Sequence, residues 1–295
     1  MKYALEHRFQ AALVAALWGY RPNAAVSPLP SPTINWARLA SSNLDVTNVA
    51  SQYSTTPLNL AMALLPLLLR YSDDEPGLRR CLASLTAGTT PESNVPSDST
   101  AIAVEGLYAL HHLVSIIVRE QSPLDTAALL PLIGPKCPHL SPYLSTVLTQ
   151  RLSGAGLVQR LAAMEPLADS YSTEPEAHQV AMALALALYS AVKTPDHSRL
   201  ACQRLFPLSP PASAGPTSAI AGFLCGLYHG LPGLSLVHYR LLETTRLPGP
   251  PDAPESSTSL PQLSQMLVAR WAGALQPQIS AAAIAPPDVI HTVTP

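Results

Sequence analysis

Two segments near opposite ends of the chain carry a small side chain at every fourth position. One begins at Arg8 and the other at Ser218. The small residues are Ala11, Ala15 and Gly19 in the first segment and Gly222, Gly226 and Gly230 in the second. Because residues four apart lie on the same face of an α-helix, each segment presents a flat stripe that another backbone can approach closely. The pattern predicts two helices built for close packing.

The composition favours helices throughout. The 295 residues are 47% hydrophobic but only 5% aromatic, so alanine and leucine must fill the interior. A β-sandwich would need more valine, isoleucine, threonine, tyrosine and phenylalanine. The 31 prolines are too many for helix interiors, so we expect most of them at helix starts and in loops.

Charge and cysteine content exclude several classes of partner. A net charge of −2 with no basic run predicts that the protein does not bind nucleic acid. The cysteines at 81, 137, 202 and 225 form no CxxC pair, which argues against zinc and disulfides and predicts a reducing, cytoplasmic location. Cys137 and His139 are the one close thiol and imidazole pair, in a proline-rich loop that we do not expect to be catalytic.

Two apolar stretches imitate membrane signals. Phe9 to Trp18 resembles the apolar part of a signal peptide. However, the acidic Glu6 lies where a signal peptide is basic, and Arg21 interrupts the segment before any cleavage site. Residues 205–239 contain no Asp, Glu, Lys or Arg, but prolines interrupt the roughly 20 continuous apolar residues that a span needs. We therefore expect no membrane segment.

Proline-adjacent caps and apolar spacing place the helices, and no alternating pattern indicates a sheet. Pro66 should kink the second helix. We expect one compact multi-helix domain over residues 1–275, of all-α class, and a flexible tail over 276–295. The predicted helices are 4–19, 57–70, 101–120, 123–133, 142–152, 155–164, 176–192, 195–206, 217–230, 233–244 and 260–274.

In order and spacing these segments resemble the ADP-ribosylglycohydrolase family. Arg8-Phe9 with its following small residues looks like the opening helix of that family, and Gly222 to Gly230 looks like its glycine-rich C-terminal helix. The segments Leu58–Leu69, Gln179–Val192, Asp196–Leu205, Leu236–Glu243 and Leu260–Ala274 are similar to its other conserved helices. The resemblance implies an all-α fold in which the two small-residue helices meet.

The resemblance also implies a site that this chain lacks. The family binds two Mg²⁺ ions that position ADP-ribose for hydrolysis of a glycosidic bond, through a Thr-Asp-Asp-Thr and an Asp-x-Asp-Thr motif. Here these motifs fall on residues 55–60 and 212–217, where Asn59 alone has the shape of an aspartate. Mg²⁺ needs carboxylate oxygens, and two close ions need several of them. We therefore expect no metal ligands and no cofactor.

Four residues remain as candidates for a remnant pocket: Thr56, Asn59, Ser213 and Thr217. Ser213 and Thr217 would bind a phosphate at the start of the C-terminal helix, where free N–H groups favour anions, unless they only cap that helix. Asn59 is either a pocket residue or a solvated or capping side chain. Glu105 is placed on the solvent-facing stripe of its helix in preference to a buried position.

The function implied by these residues is that of a non-catalytic relative, a pseudoenzyme that binds or scaffolds. ADP-ribose or a related nucleotide, or a protein, would be its partner. One alternative is a hydrolase of ADP-ribosyl linkages with a rearranged site. The other is an unrelated Ala/Leu-rich helical interaction protein.

Overall fold

The computed structural model confirms the all-α class. About 85% of the residues that it describes are helical, and their buried apolar side chains form one continuous cluster. The described residues are 4–20, 36–40, 56–87, 98–120, 126–149, 162, 164–167, 175–205, 209, 211–248 and 257–272. The predicted tail 276–295 and most of the predicted helix 155–164 lie outside them.

The described elements are mostly helices. A two-stranded antiparallel ribbon pairs β1 (Arg246–Pro248) with β2 (Ser257–Ser259). The helices are α1 (Leu5–Tyr20), α2 (Trp36–Ala40), α3 (Pro57–Ala63), α4 (Leu65–Arg70), α5 (Glu75–Ala87), α6 (Asp98–Glu120), α7 (Thr126–Ile133), α8 (Ser141–Thr149), α9 (Pro175–Lys193), α10 (Ser198–Leu205), α11 (Pro211–His229), α12 (Leu236–Thr244) and α13 (Leu260–Trp271).

The two small-residue stripes meet along an antiparallel seam between α1 and α11. A side-chain carbon added to Gly226 would collide with the carbonyl oxygen of Ala11, and one added to Gly222 would collide with that of Ala15. At the far end, a carbon added to Gly19 would lie 2.5 Å from the Ser218 carbonyl oxygen. Backbone therefore lies directly on backbone along this seam.

Arg8 locks one end of the seam to a third helix. Its guanidinium is buried and donates to the carbonyl oxygens of Leu227 at 2.9 Å and Ile117 at 2.6 Å, with a longer contact of 3.5 Å to Val118. These carbonyls lie in the last turns of α11 and α6, where the helix itself supplies no donors. Arg8 thus satisfies the ends of two helices, and positive charge is favourable there.

The remaining helices surround the seam. Helix α9 is central and packs against α6, α8, α10 and α11, whereas α13 covers α1, α2 and α4. One described helix, Asp98–Arg119, is long and apolar enough to cross a membrane by length and composition, and 61% of its most apolar window is buried in the fold.

Several predicted boundaries were wrong. The segment 57–70 is divided into two helices at Leu64, close to the kink expected at Pro66. Helix α5 was missed, although Asp74 caps it by accepting from the Gly77 N–H at 2.8 Å. The β-ribbon was also missed, because its six residues are too few to show alternation; it buries Leu247.

The largest boundary error concerns α11, which begins at Pro211 and not at 217. A proline is favoured at the first helical position, where its missing N–H costs nothing. The helix then continues through Pro216, losing one internal hydrogen bond. Close packing compensates for that loss, since Gly215 lies against the backbone and ring of Tyr20 at the end of α1.

Candidate functional site

The four predicted pocket residues lie on two helices that contact one another, α3 and α11. Thr56 stands immediately before α3, as its Thr-Pro pair predicts, but its exposed side chain makes no capping hydrogen bond. The Thr56 hydroxyl therefore does not cap the helix.

Asn59, in the first turn of α3, is neither solvated nor a cap. The residue is half-buried, and its side-chain oxygen Oδ1 is fully buried with no hydrogen-bond partner among the described residues. A buried acceptor left unpaired costs about 1–3 kcal/mol, so most such groups in folded proteins have partners. Asn59 is thus the member of the predicted set whose side-chain oxygen is buried and unpaired among the described residues.

Ser213 and Thr217 lie inside α11 because the helix starts earlier than predicted. Both residues are buried, and the Thr217 hydroxyl donates to the Ser213 carbonyl oxygen at 2.7 Å. Thr217 is therefore well past the first turn, where free N–H groups attract anions. The expected phosphate contact at the helix start is not available to its side chain.

No group of three or more His, Cys, Asp or Glu residues in the described part of the chain is arranged to hold a metal ion. The first carboxylates that follow Asn59 in the sequence, Asp73 and Asp74, are occupied elsewhere. Asp73 accepts from the Arg119 guanidinium at 2.7 Å and from the Trp271 indole at 2.9 Å. Asp74 caps α5.

A second polar cluster, centred on Glu105, was missed by the sequence prediction. Its side chain is only 14% exposed, contrary to the solvent-facing position expected for it. One carboxylate oxygen lies 2.6 Å from Nδ1 of His139, and the other accepts from the backbone N–H groups of His139 and Leu140. The carboxylate therefore orients an exposed imidazole while it holds the turn before α8.

The same contacts exclude Cys137 as a reactive partner of that imidazole. Its thiol donates to the backbone oxygen of Glu105 at 3.2 Å. Burial, assisted by the negative charge of Glu105, raises the pKa of Cys137 to about 12. The thiolate, which is the nucleophilic form, is therefore not populated at neutral pH.

A Glu105→Gln variant should lose about 2 kcal/mol of unfolding free energy, because an amide group cannot accept from all three donors that surround the carboxylate. Urea denaturation followed by circular dichroism would measure the loss. Glu75→Gln is the matched control, since Glu75 forms an exposed ion pair with Lys136 that should contribute under about 1 kcal/mol. Equal stabilities of the two variants would contradict this role for Glu105.

His111 and His112 are adjacent on α6, and their rings differ in burial. His111 is buried and its Nε2 donates to the Tyr71 carbonyl oxygen at 2.7 Å, whereas His112 is half-buried. Burial lowers the pKa of both.

An open groove of about 420 Å³ lies away from the predicted residues. It runs along α5 and is lined by Glu75, Pro76, Arg79, Arg80 and Ala83. None of the four predicted pocket residues belongs to it. Since its described lining comes from one helix, it offers no convergent set of groups for chemistry.

Comparison with protein-family models, with curated proteins and with solved structures gave no match.

Proposed function

We propose that this protein is a non-catalytic, ADP-ribosylglycohydrolase-like helical protein that binds or scaffolds. The observation that supports the proposal best is the seam between α1 and α11. The resemblance requires the two small-residue helices to pair, although they stand at opposite ends of the sequence. Their stripes are in register along the seam, with Ala11 opposite Gly226 and Ala15 opposite Gly222.

The lack of catalysis follows from the groups at the two motif positions. Asn59 supplies a neutral amide in the first. In the second, residues 212–217 supply no carboxylate and lie within α11. Neutral side chains cannot offset the repulsion between two Mg²⁺ ions. Loss of clustered aspartates would also relieve like-charge repulsion, so the fold can persist without the chemistry.

The proposed ligand is ADP-ribose or a related nucleotide, and a protein is the alternative partner. Among the four candidate residues, Asn59 supplies an unpaired acceptor for such a ligand, and binding would have to uncover this buried oxygen. A cytoplasmic location is proposed as well, because all four cysteines are free thiols. Binding to nucleic acid or to a membrane is not part of the proposal.

The experiment that tests catalysis is incubation of the purified protein with ADP-ribosylated protein, in Mg²⁺ and in chelator. We expect no release of ADP-ribose in either buffer. Release that chelator abolishes would overturn the proposal. Release that survives chelator would overturn it in favour of the second candidate, a hydrolase with a rearranged, metal-free site.

Asn59→Ala separates a binding role from a structural one. Removing an unpaired buried oxygen and introducing a better helix former should raise the unfolding free energy by about 1 kcal/mol. Calorimetric titration with ADP-ribose should show binding by the wild type that is equal with and without Mg²⁺ and that the variant loses. Gln179→Ala, at an exposed position of α9, serves as the control that should keep binding. A variant that is both less stable and unchanged in binding would assign Asn59 to the fold alone.

An unrelated helical interaction protein is the remaining candidate, and one observation favours it. The helix α12 leaves Leu236 and Val237 73% and 52% exposed. Adjacent exposed aliphatic side chains are typical of contact surfaces when they form part of a larger patch. If ADP-ribose does not bind in either buffer, this candidate replaces the nucleotide-binding one.

A further inference from the structure

The helix α12 contacts the rest of the protein through the buried His238 and through Leu241 and Leu242, which are half-buried against the core. Of its nine residues His238 alone is buried, and none of its surface is exposed. The neighbouring Leu236 and Val237 face outward. On either side of the helix, the buried side chains of Leu234 and Leu247 anchor the chain again. His238 is therefore the most deeply buried contact of α12, between two flanks that are themselves anchored.

The imidazole of His238 closes a hydrogen-bonded cap at the start of α12. Its Nδ1 accepts from the backbone N–H of Ser235 at 3.1 Å, and the Ser235 hydroxyl lies 2.8 Å from the same nitrogen. Because Nδ1 accepts, the ring proton is on Nε2, which is buried without a partner among the described residues. The ring packs 5.1 Å from the indole of Trp18 on α1. The docked helix therefore requires a neutral imidazole.

Helix α13 begins with the same arrangement built from an uncharged residue. The Ser259 N–H donates to Oε1 of Gln262 at 2.8 Å, and the Gln262 N–H donates back to the Ser259 hydroxyl at 3.3 Å. Glutamine or glutamate three residues after a capping serine is the usual form of this box. His238 takes that position in α12. Of the two boxes, the one in α12 alone contains an imidazole that titrates in mildly acidic solution.

The charges around His238 oppose its protonation. Burial lowers the pKa of His238 to about 4, and the positive charge of Arg199 on α10 contributes to that decrease. Among the charged groups that the structure describes, Arg199 is the one whose charge lowers the pKa of the ring. The other titratable side chains of α12 and of the helices packed against it are Glu6, His7, Arg8, Tyr20, Tyr239, Arg240, Glu243 and Arg270.

We propose that α12 is an acid-released flap: protonation of His238 undocks the helix from α1 while α1 and α11 remain paired. A proton on Nδ1 prevents that nitrogen from accepting the Ser235 N–H. It also places an uncompensated positive charge in a buried site that Arg199 already makes positive. Release returns the ring to water and uncovers Trp18, which is 6% exposed when the helix is docked. This flap does not depend on the proposed function.

The direction of the pH effect follows from two pKa values. In the released helix the imidazole has its ordinary pKa of 6.5, and in the docked helix its pKa is about 4. A group whose pKa is lowered on docking favours the docked state above pH 6.5, and this contribution is lost as the pH falls from 6.5 to 4. The separation corresponds to a change of roughly 300-fold in the docking equilibrium.

Hydrogen exchange of the full chain, corrected for intrinsic rates, tests the proposal between pH 7.5 and 4.5. Peptides covering 235–245 should lose protection as the pH falls, while peptides from α1 and α11 keep theirs. His238→Gln gives α12 the uncharged box of α13, and it should remain protected throughout. Simultaneous loss of protection in α12 and α11, or a wild-type acid response in His238→Gln, would overturn the proposal.

A second variant keeps the test valid if glutamine fails to dock α12 at neutral pH. Arg199→Gln removes the charge that disfavours the protonated ring but leaves the box intact. The docked pKa should then rise toward 6.5, so release requires a lower pH than in the wild type. An unchanged midpoint in Arg199→Gln would also overturn the proposal.

Discussion

A Gly226→Val variant is expected to lose about 3 kcal/mol or more of unfolding free energy. Gly226 lies on the α1 backbone, where an added carbon would collide with the Ala11 carbonyl oxygen and lie 2.9 Å from the side chain of Ala15. Backbone atoms cannot move aside as a flexible side chain can, so the two helices must separate. A loss of this size is a large fraction of the 5–15 kcal/mol that typically stabilises a protein.

Alanine at the same position separates packing from helix propensity. In a helix interior alanine is favoured over glycine by up to about 1 kcal/mol, so a steric effect must overcome that gain. We expect Gly226→Ala to be destabilised by about 1–2 kcal/mol in urea denaturation. Gly134→Ala is the control, because its new carbon would lie 3.0 Å from the Ser141 hydroxyl, which can rotate away. Wild-type stability of Gly226→Ala would contradict the backbone contact.

The second large effect is expected from Arg8→Met, at about 3–5 kcal/mol. Methionine fills a similar volume but leaves the carbonyl oxygens of Ile117 and Leu227 buried without donors. Hydrogen bonds to a charged group each contribute about 1.5–3 kcal/mol. Burial lowers the pKa of the Arg8 guanidinium, but an arginine keeps its proton in proteins. Chemical denaturation and limited proteolysis would both report the loss.

Lysine and a surface arginine provide the comparisons for Arg8. Arg8→Lys keeps the charge but lacks the planar fork that reaches two helices at once, so it should recover only part of the stability. Arg79→Met removes an exposed arginine paired with Glu75 and should change stability by under about 1 kcal/mol. If Arg8→Met were no worse than Arg79→Met, the buried guanidinium would not be holding the helices together.

The helices could be predicted from the sequence wherever their signal is local. Alanine-rich and leucine-rich stretches, proline at helix starts and capping residues identified most of the described helices, including the central α9. The stripes at Ala11 and Gly226 indicated close packing because small residues on one helix face let another backbone approach closely. The predicted start of α11 was wrong because a proline normally interrupts a helix, whereas packing of Gly215 on Tyr20 allows this helix to continue past Pro216.

The site was less predictable, because its contacts depend on residues far apart in sequence. Glu105 becomes buried only because the turn at His139 lies over it, 34 residues later. Asn59 was identified as a candidate, but its unpaired oxygen depends on which neighbours the fold places beside it. His238 carries no local sign of burial, since the same Ser-x-x-His spacing on a fully exposed helix would be unremarkable.

The order of synthesis gives the pairing of α1 with α11 a further consequence. Arg8 and its acceptor Leu227 are 219 residues apart, and a ribosome adds roughly 5–20 residues per second. Helix α1, whose residues from Arg8 to Gly19 are all buried in the finished fold, therefore waits roughly 10–40 s for its partner. Until then its apolar surface is exposed, so chaperones should protect α1 until α11 has been synthesised.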